Sequence, residues 1–255
     1  MLFNEIVYGP IHSRRLGRSL GINLMPTTDK LCTFNCVYCE CGFNTKVDHP
    51  RLPTKEEFAS ALQARLDSLS ESRETIDVIT FSGNGEPTLH PDFLPIIRLT
   101  CRLRDTYFPK AKVSVLTNST QLFRDDVIEA LRLVDNRILK LDSAINSTMH
   151  LIDDPVNTSL TVETIEKLLA RFEGDFILQT CFLRGTKGAD IIDNTTPEEI
   201  KAWYEAVDRL RPKQIMMYVI DRATPLKTLQ KISAEQMNAI AQPLRDKGYD
   251  VILSC

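Results

Sequence analysis

No apolar run approaches the roughly 18 residues that a membrane-spanning helix requires, so a membrane protein of the helical kind is not expected. The opening residues, MLFNEIVYGP, lack a positively charged stretch leading into an apolar one, so no secretory leader is expected either. Neither sign of charge is in large excess. Lys and Arg number 31 against 34 Asp and Glu, a formal net charge of −3, whereas nucleic-acid binders usually carry a clustered basic surface. There is no internal repeat, no low-complexity tract and no proline- or glycine-rich linker, so one domain over residues 1–255 is expected. The cytoplasm is the location expected by default. In that reducing compartment cysteines bind metals or react more often than they form disulfides.

What is present is an ordinary globular composition, 43% hydrophobic and 25% charged. A chain of this length buries about three quarters of its unfolded surface and needs no covalent staples. The seven cysteines are unevenly placed: Cys32, Cys36, Cys39 and Cys41 lie together, and Cys101, Cys181 and Cys255 are scattered.

Short β-rich runs alternate with amphipathic helical patterns. Strands are expected over 21–25, 77–81, 112–116, 137–141, 175–181, 214–220 and 250–253. Thr54 with Glu57, Thr196 with Glu199 and Ser233 with Gln236 read as capping boxes at helix starts. Phe58, Leu62, Leu66 and Leu69 form one apolar helical face. Ile96 and Ile97, Val127 and Leu131, and Ile165 and Leu169 mark three more helices. Pro243 is expected to kink the last helix. Such alternation implies an α/β fold with a parallel sheet, a partial or full barrel or else a doubly wound sheet. In either form ligands gather at the C-terminal strand ends.

The segment LCTFNCVYCEC carries Cys32, Cys36 and Cys39 at C-x3-C-x2-C spacing after the first expected strand. Iron–sulfur clusters prefer thiolates, usually four; three would leave one iron open to a ligand. Cys41 as a fourth ligand would instead close a structural iron–sulfur or zinc site, although zinc knuckles usually come as separated pairs. The loop, with Tyr38 just before Cys39, resembles the signature of the radical S-adenosylmethionine superfamily. The resemblance implies a partial (β/α)6 TIM-like barrel with short N- and C-terminal extensions. It also implies a [4Fe–4S] cluster on Cys32, Cys36 and Cys39, S-adenosylmethionine on the open iron, and Tyr38 near the adenine. The stretches YGPIHSRRLGRSLGINLMP, KLDSAINSTMHLIDDP and YVIDRATP resemble a narrower group, small iron–sulfur oxidoreductases related to wyosine-base synthases.

The second expected strand runs into FSGNGEPTLHP. Its glycines permit close approach of backbone to a ligand, and Glu86 can accept from an ammonium group. The run resembles the family's Gly-Gly-Glu motif, with Asn84 inserted, and implies cofactor contacts from Gly83, Asn84, Gly85 and Glu86. Thr117, Asn118 and Ser119 follow the next strand, and the resemblance points Asn118 at the methionine carboxylate or ribose. Lys140 and Asp142 share one strand face, and with Ser143 they could grip a polar ligand at the strand end. Cys181 and Cys255 are the candidate catalytic thiols, against their alternative as small buried hydrophobes. Tyr218 and Arg222 flank the sixth strand's end. Arg14, Arg15 and Arg18 read as a solvated face before the first strand. His150, Asp153 and Asp154 read as a loop after the fourth.

As the resemblance implies, a flavodoxin or ferredoxin delivers an electron, S-adenosylmethionine is cleaved reductively, and a 5′-deoxyadenosyl radical abstracts hydrogen from a small molecule, nucleoside or peptide. The competing functions are an activase forming a glycyl radical on a partner protein and a non-catalytic iron–sulfur or zinc protein.

Overall fold

Residues 2–45 and 50–255 are described by a computed structural model. They fall into two compact units whose segments interleave along the chain.

The first unit comprises residues 1–32, 44–117 and 121–137. It opens with an antiparallel pair, β1 (Val7–Ser13) and β2 (Gly17–Ile22), with a register shift between Tyr8 and Ile11. Parallel pairing then joins β2 to β3 (Val78–Phe81) and β3 to β4 (Lys112–Thr117). β3 is buried at all four positions, the pattern of a parallel strand covered on both faces. Helices α1 (Lys55–Glu71), α2 (Phe93–Tyr107) and α3 (Asp125–Leu133) belong to this unit. Phe58 of α1 and Phe93 of α2 both meet Phe81, with ring centroids 6.3 and 6.2 Å away. The Thr54 capping box is present with both of its hydrogen bonds.

The second unit comprises residues 33–43, 118–120 and 138–255. Strand β5 (Asn136–Lys140) pairs in parallel, from Ile138 onward, with β6 (Ile177–Lys187). β6 pairs with β8 (Gln214–Val219), and β8 with β10 (Val251–Ser254), again in parallel. The far half of β6 carries β7 (Asp190–Asp193) and β9 (Gln230–Lys231) antiparallel. Helices α4 (Asn146–Asp153), α5 (Val162–Leu169), α6 (Pro197–Leu210) and α7 (Ala234–Asp246) complete it. Trp203 of α6 stands edge-on to Phe182 of β6 at 5.1 Å and donates its indole N–H to Thr180 Oγ1 at 3.1 Å. That bond satisfies the one polar atom of a large buried side chain. Helix α7 runs through Pro243 without ending there.

Several expected bounds shift. The first expected strand, 21–25, is observed as Gly17–Ile22, and β1 precedes it. Gly9-Pro10 lies inside β1, and such a dipeptide reads locally as a turn. Arg14 and Arg15 therefore sit in a hairpin connection, while Arg18 in β2 pairs with Glu74. Residues His150 and Asp153, read as loop, lie in α4. That helix has no side-chain cap at Ile145, so it carries no start signal.

The Gly83–Glu86 run, at the C-terminal end of β3, is a backbone clasp. Leu31 N–H donates to Asn84 O at 2.9 Å, and Glu86 N–H donates to Leu31 O at 3.0 Å. Gly85 has φ of 148°, and a Cβ built there would stand 1.7 Å from Leu31 O. The expected outcome for Gly85→Ala is destabilisation by about 2 kcal/mol or more, because the clash is with backbone and cannot be relieved by a rotamer change. Urea unfolding midpoints of the two chains check this, and an unchanged midpoint would count against the clasp.

Candidate functional site

The cysteine segment has little regular structure, so its amides are satisfied by neighbouring elements. Cys32 ends a segment of the first unit, directly after the Leu31 clasp, and Asn44 Nδ2 donates to its carbonyl at 2.9 Å. Cys36 and Cys39 belong to the second unit, in residues 33–43. There Asn35 N–H donates to Asp153 O and Val37 N–H to Ile152 O, both at 2.9 Å. Val156 N–H donates to Thr33 O at the same distance. The acceptors for Asn35 and Val37 are carbonyls in the C-terminal turn of α4, groups a helix end leaves without intrahelical partners. Cys39 N–H donates to Cys36 O at 3.0 Å, which closes a single turn carrying two thiols.

All seven cysteines are thiols, with no disulfide among them, and Cys32, Cys36, Cys39 and Cys41 are each partly exposed. Among the described residues no three His, Cys, Asp or Glu side chains are gathered as ligands of one metal ion. Thiols are the ligands that iron–sulfur clusters prefer, and Cys36 and Cys39 lie on one tight turn of the second unit.

Tyr38 lies within that turn, and a buried polar network holds its hydroxyl. The hydroxyl donates to Asp142 Oδ2 at 2.5 Å and accepts from Lys140 Nζ and, at 3.2 Å, from Tyr218. One donor and two acceptor sites are all that a phenol offers, so the hydroxyl is fully occupied. Lys140 also binds Asp142 Oδ2, pairs with Asp153 Oδ1 at 2.7 Å and stands 4.6 Å from the Tyr38 ring centroid. The side chains of Lys140, Asp142 and Asp153 are only 11%, 1% and 2% exposed. Asp142 Oδ1 accepts from the Cys181 amide at 2.9 Å. Asn194 Nδ2 donates to the carbonyls of Asp142 and Cys181, both at 2.8 Å.

Burial first, and then the Asp142 carboxylate, raise the Tyr38 phenol well above its ordinary range. Burial opposes the Lys140 ammonium, but Asp142 and Asp153 together raise it well above a usual lysine. Burial pushes the Asp153 carboxyl up to about 7 against the pull of Lys140, with Asp142 adding to the rise. Two carboxylates facing one ammonium out of water cannot both be stabilised as ions equally well.

In the first unit, Glu86 is 2% exposed and caps a 3₁₀ turn at Pro87–Leu89. Its Oε1 accepts from Thr88 N–H at 3.1 Å, from Thr88 Oγ1, and from Thr117 Oγ1 at 2.7 Å. The Asn84 side chain is engaged elsewhere. Its Oδ1 accepts from Phe3 N–H at 2.8 Å, and its Nδ2 donates to Phe3 O at 2.7 Å and Pro26 O at 2.8 Å. A Cβ at Gly83 would meet Asn23 Oδ1 at 2.7 Å.

Asn118, in the second unit, donates to Thr33 Oγ1 at 2.7 Å and accepts from Thr120 Oγ1 at 2.8 Å. Ser143 donates to Glu199 Oε2 at 2.7 Å and accepts from Ile145 N–H at 2.9 Å, which fixes the turn into α4. Cys181 is buried in a cluster with Val37, Ile152, Leu183 and Ile192, against which Tyr38 and Tyr218 pack. Cys255 is exposed at the chain's last position. Arg222 pairs with Glu40 at 2.7 Å. Asp153 and Asn194 were not among the expected site residues. Asp153 could have been found from the helical spacing of Met149 and Ile152 just before it. Nothing local marks Asn194.

No helix among the described residues is long and apolar enough to cross a membrane. Against curated proteins, the chain is 29% identical over 236 residues to "GTPase Obg" of Brachyspira hyodysenteriae, which covers 91% of this chain and 32% of that one. It is 27% identical over 235 residues to a UPF0026 protein of Helicobacter pylori, covering 91% and 71%. It is 31% identical over 187 residues to a UPF0026 protein of Methanocaldococcus jannaschii, covering 71% and 55%. The chain thus spans about a third of the first relative and about half to three quarters of the others.

Among solved structures, a radical SAM methyltransferase from Sphaerobacter thermophilus matches with a TM-score of 0.63 at 14% identity, over 92% of this chain and 66% of that one. Streptococcus suis SuiB bound to S-adenosylmethionine matches with 0.63 at 13%, over 88% and 48%. TYW1 with a lysine–pyruvate adduct matches with 0.62 at 14%, over 90% and 73%. These likenesses show the fold, a mixed α/β partial TIM-like barrel of the radical SAM type, as the sequence led us to expect. The model of the Radical SAM superfamily matches residues 30–193, a span that begins two residues before Cys32 and takes in the Gly83–Glu86 run, Lys140, Asp142 and Cys181. On that match, which covers more than half of its length, the chain belongs to the Radical SAM superfamily.

Proposed function

We propose that this chain is an enzyme that holds a [4Fe–4S] cluster on Cys32, Cys36 and Cys39 and cleaves S-adenosylmethionine reductively. The observation that carries the reading is the C-x3-C-x2-C trio at the start of the span matched by the family model. When bound and reduced by a flavodoxin or ferredoxin, the cluster would supply the electron that splits S-adenosylmethionine into methionine and a 5′-deoxyadenosyl radical, which would take hydrogen from a substrate.

The remaining tasks fall to side chains. Cys32, Cys36 and Cys39 would each hold an iron as a thiolate, which would leave one iron free for the methionine end of the cofactor. Glu86, whose Oε1 accepts from the hydroxyls of Thr88 and Thr117, would take the methionine ammonium. The backbone of Gly83, Asn84 and Gly85 would line that end, and Asn118 would meet the carboxylate or ribose. Tyr38 would offer its ring to the adenine, its hydroxyl being committed to Lys140, Asp142 and Tyr218. Val37, Ile152, Cys181, Leu183 and Ile192 form a buried cluster, packed against Tyr38, that would keep water from a reactive radical.

The test is anaerobic reconstitution with iron and sulfide, reduction with dithionite, and chromatography for 5′-deoxyadenosine. The wild-type chain is expected to load iron and release deoxyadenosine. Cys36→Ala is expected to lose both, and wild-type iron content in that variant, or no deoxyadenosine from a fully loaded wild type, would defeat the proposal. Glu86→Gln is expected to keep its iron but bind S-adenosylmethionine about tenfold or more weakly, since a hydrogen bond between charged groups contributes about 1.5–3 kcal/mol. Equilibrium binding to the loaded chain measures this.

A further inference from the structure

We infer that Asp153, acting through Lys140, is a positioning residue for the Tyr38 ring and the Cys36–Cys39 turn. The inference deepens the proposed cluster reading, on which its functional consequence rests.

The argument starts from what Lys140 touches. Its ammonium is buried and committed inside the second unit, to Asp142, to Asp153 and to the Tyr38 hydroxyl. A lysine placed to grip a ligand would carry its charge into an open site. This one spends its contacts on protein groups, and its charge stands by the Tyr38 ring, where a cation is attracted to the aromatic face. Asp142 accepts the Tyr38 O–H and is itself fixed by the Cys181 amide. Asp153 completes the ammonium's surroundings from the opposite element, helix α4.

Asp153 is also bound to the cysteine segment through its backbone. Its carbonyl accepts from Asn35 N–H, and its neighbour Ile152 accepts from Val37 N–H. These amides flank Cys36 on either side. Side chain and carbonyl of one residue therefore hold the same turn from two directions, the first through Lys140 and Tyr38, the second directly. An ammonium with three fixed partners has one orientation, so the ring above it has one too. The pairing at 2.7 Å lacks a well-aligned hydrogen bond at Asp153 Oδ1, so its contribution is mainly charge. Asp153→Asn removes that charge while keeping the shape and the backbone carbonyl.

The test uses the full chain labelled with 3-fluorotyrosine, its Tyr38 signal assigned by comparison with Tyr38→Phe. Before iron is added, Asp153→Asn is expected to move or split the Tyr38 signal. It should also speed amide hydrogen exchange across residues 33–43 by about tenfold, with β3 and β4 unchanged. After reconstitution, iron should pass to a chelator several-fold faster from the variant than from wild type. An unchanged Tyr38 signal with unchanged exchange overturns the inference, and so does unchanged iron release. If Asp153→Asn does not fold, Tyr38→Phe decides, because it removes the held hydroxyl without stranding a charge. Faster exchange over 33–43 in that chain supports the clamp, and wild-type exchange overturns it. Should the wild-type chain take up no cluster, the proposed function fails, while the fluorine and exchange measurements still decide the clamp.

Discussion

The segment that carries Cys32, Cys36 and Cys39 forms no helix or extended strand of its own, yet each of its buried amides needs an acceptor. That constraint shapes the residues around the cysteines. Before Cys32 the acceptor is the carbonyl of Asn84, brought close because Gly85 has no side chain in the way. Around Cys36 the acceptors are the last carbonyls of α4. The first arrangement uses a strand end and the second a helix end. Both are places where regular structure leaves backbone groups over.

The ion network beneath Tyr38 follows different physics. A buried ion pair contributes little net stability compared with apolar packing, because both charges must leave water. What it provides is direction. Lys140 can satisfy its charge in only one place, and the hydrogen bonds of Tyr38 and Asp142 have fixed angles. Burial, with a second carboxylate beside the one ammonium, pushes the Asp153 carboxyl up to about 7, so near neutral pH it carries its negative charge in part.

Local sequence carried much of the architecture. The apolar runs of β3, β4 and β8 are visible because buried parallel strands are apolar on both faces. Thr54, Thr196 and Ser233 announce helix starts because the cap is a contact within one turn. Lys140 and Asp142 could be paired from their two-residue spacing, and the structure joins them. What was hidden depends on distant partners. Asp153 meets Lys140 only after α4 has formed, and α4 has no cap to announce it. Asn194 reaches Asp142 and Cys181 from the end of an antiparallel hairpin. β1 was masked by a Gly-Pro step that a local reading takes for a turn.

Asn84 illustrates how a departure from a motif acquires a duty. Its amide group exchanges two hydrogen bonds with the backbone of Phe3 and a third with Pro26. Phe3 in turn stacks on Tyr8, whose ring fills the space above Gly21. Four sequence-distant positions are thereby coupled: a glycine at 84 would strand two main-chain groups of Phe3, and any larger residue at 21 would evict the tyrosine. Drift at these sites is free only in concert.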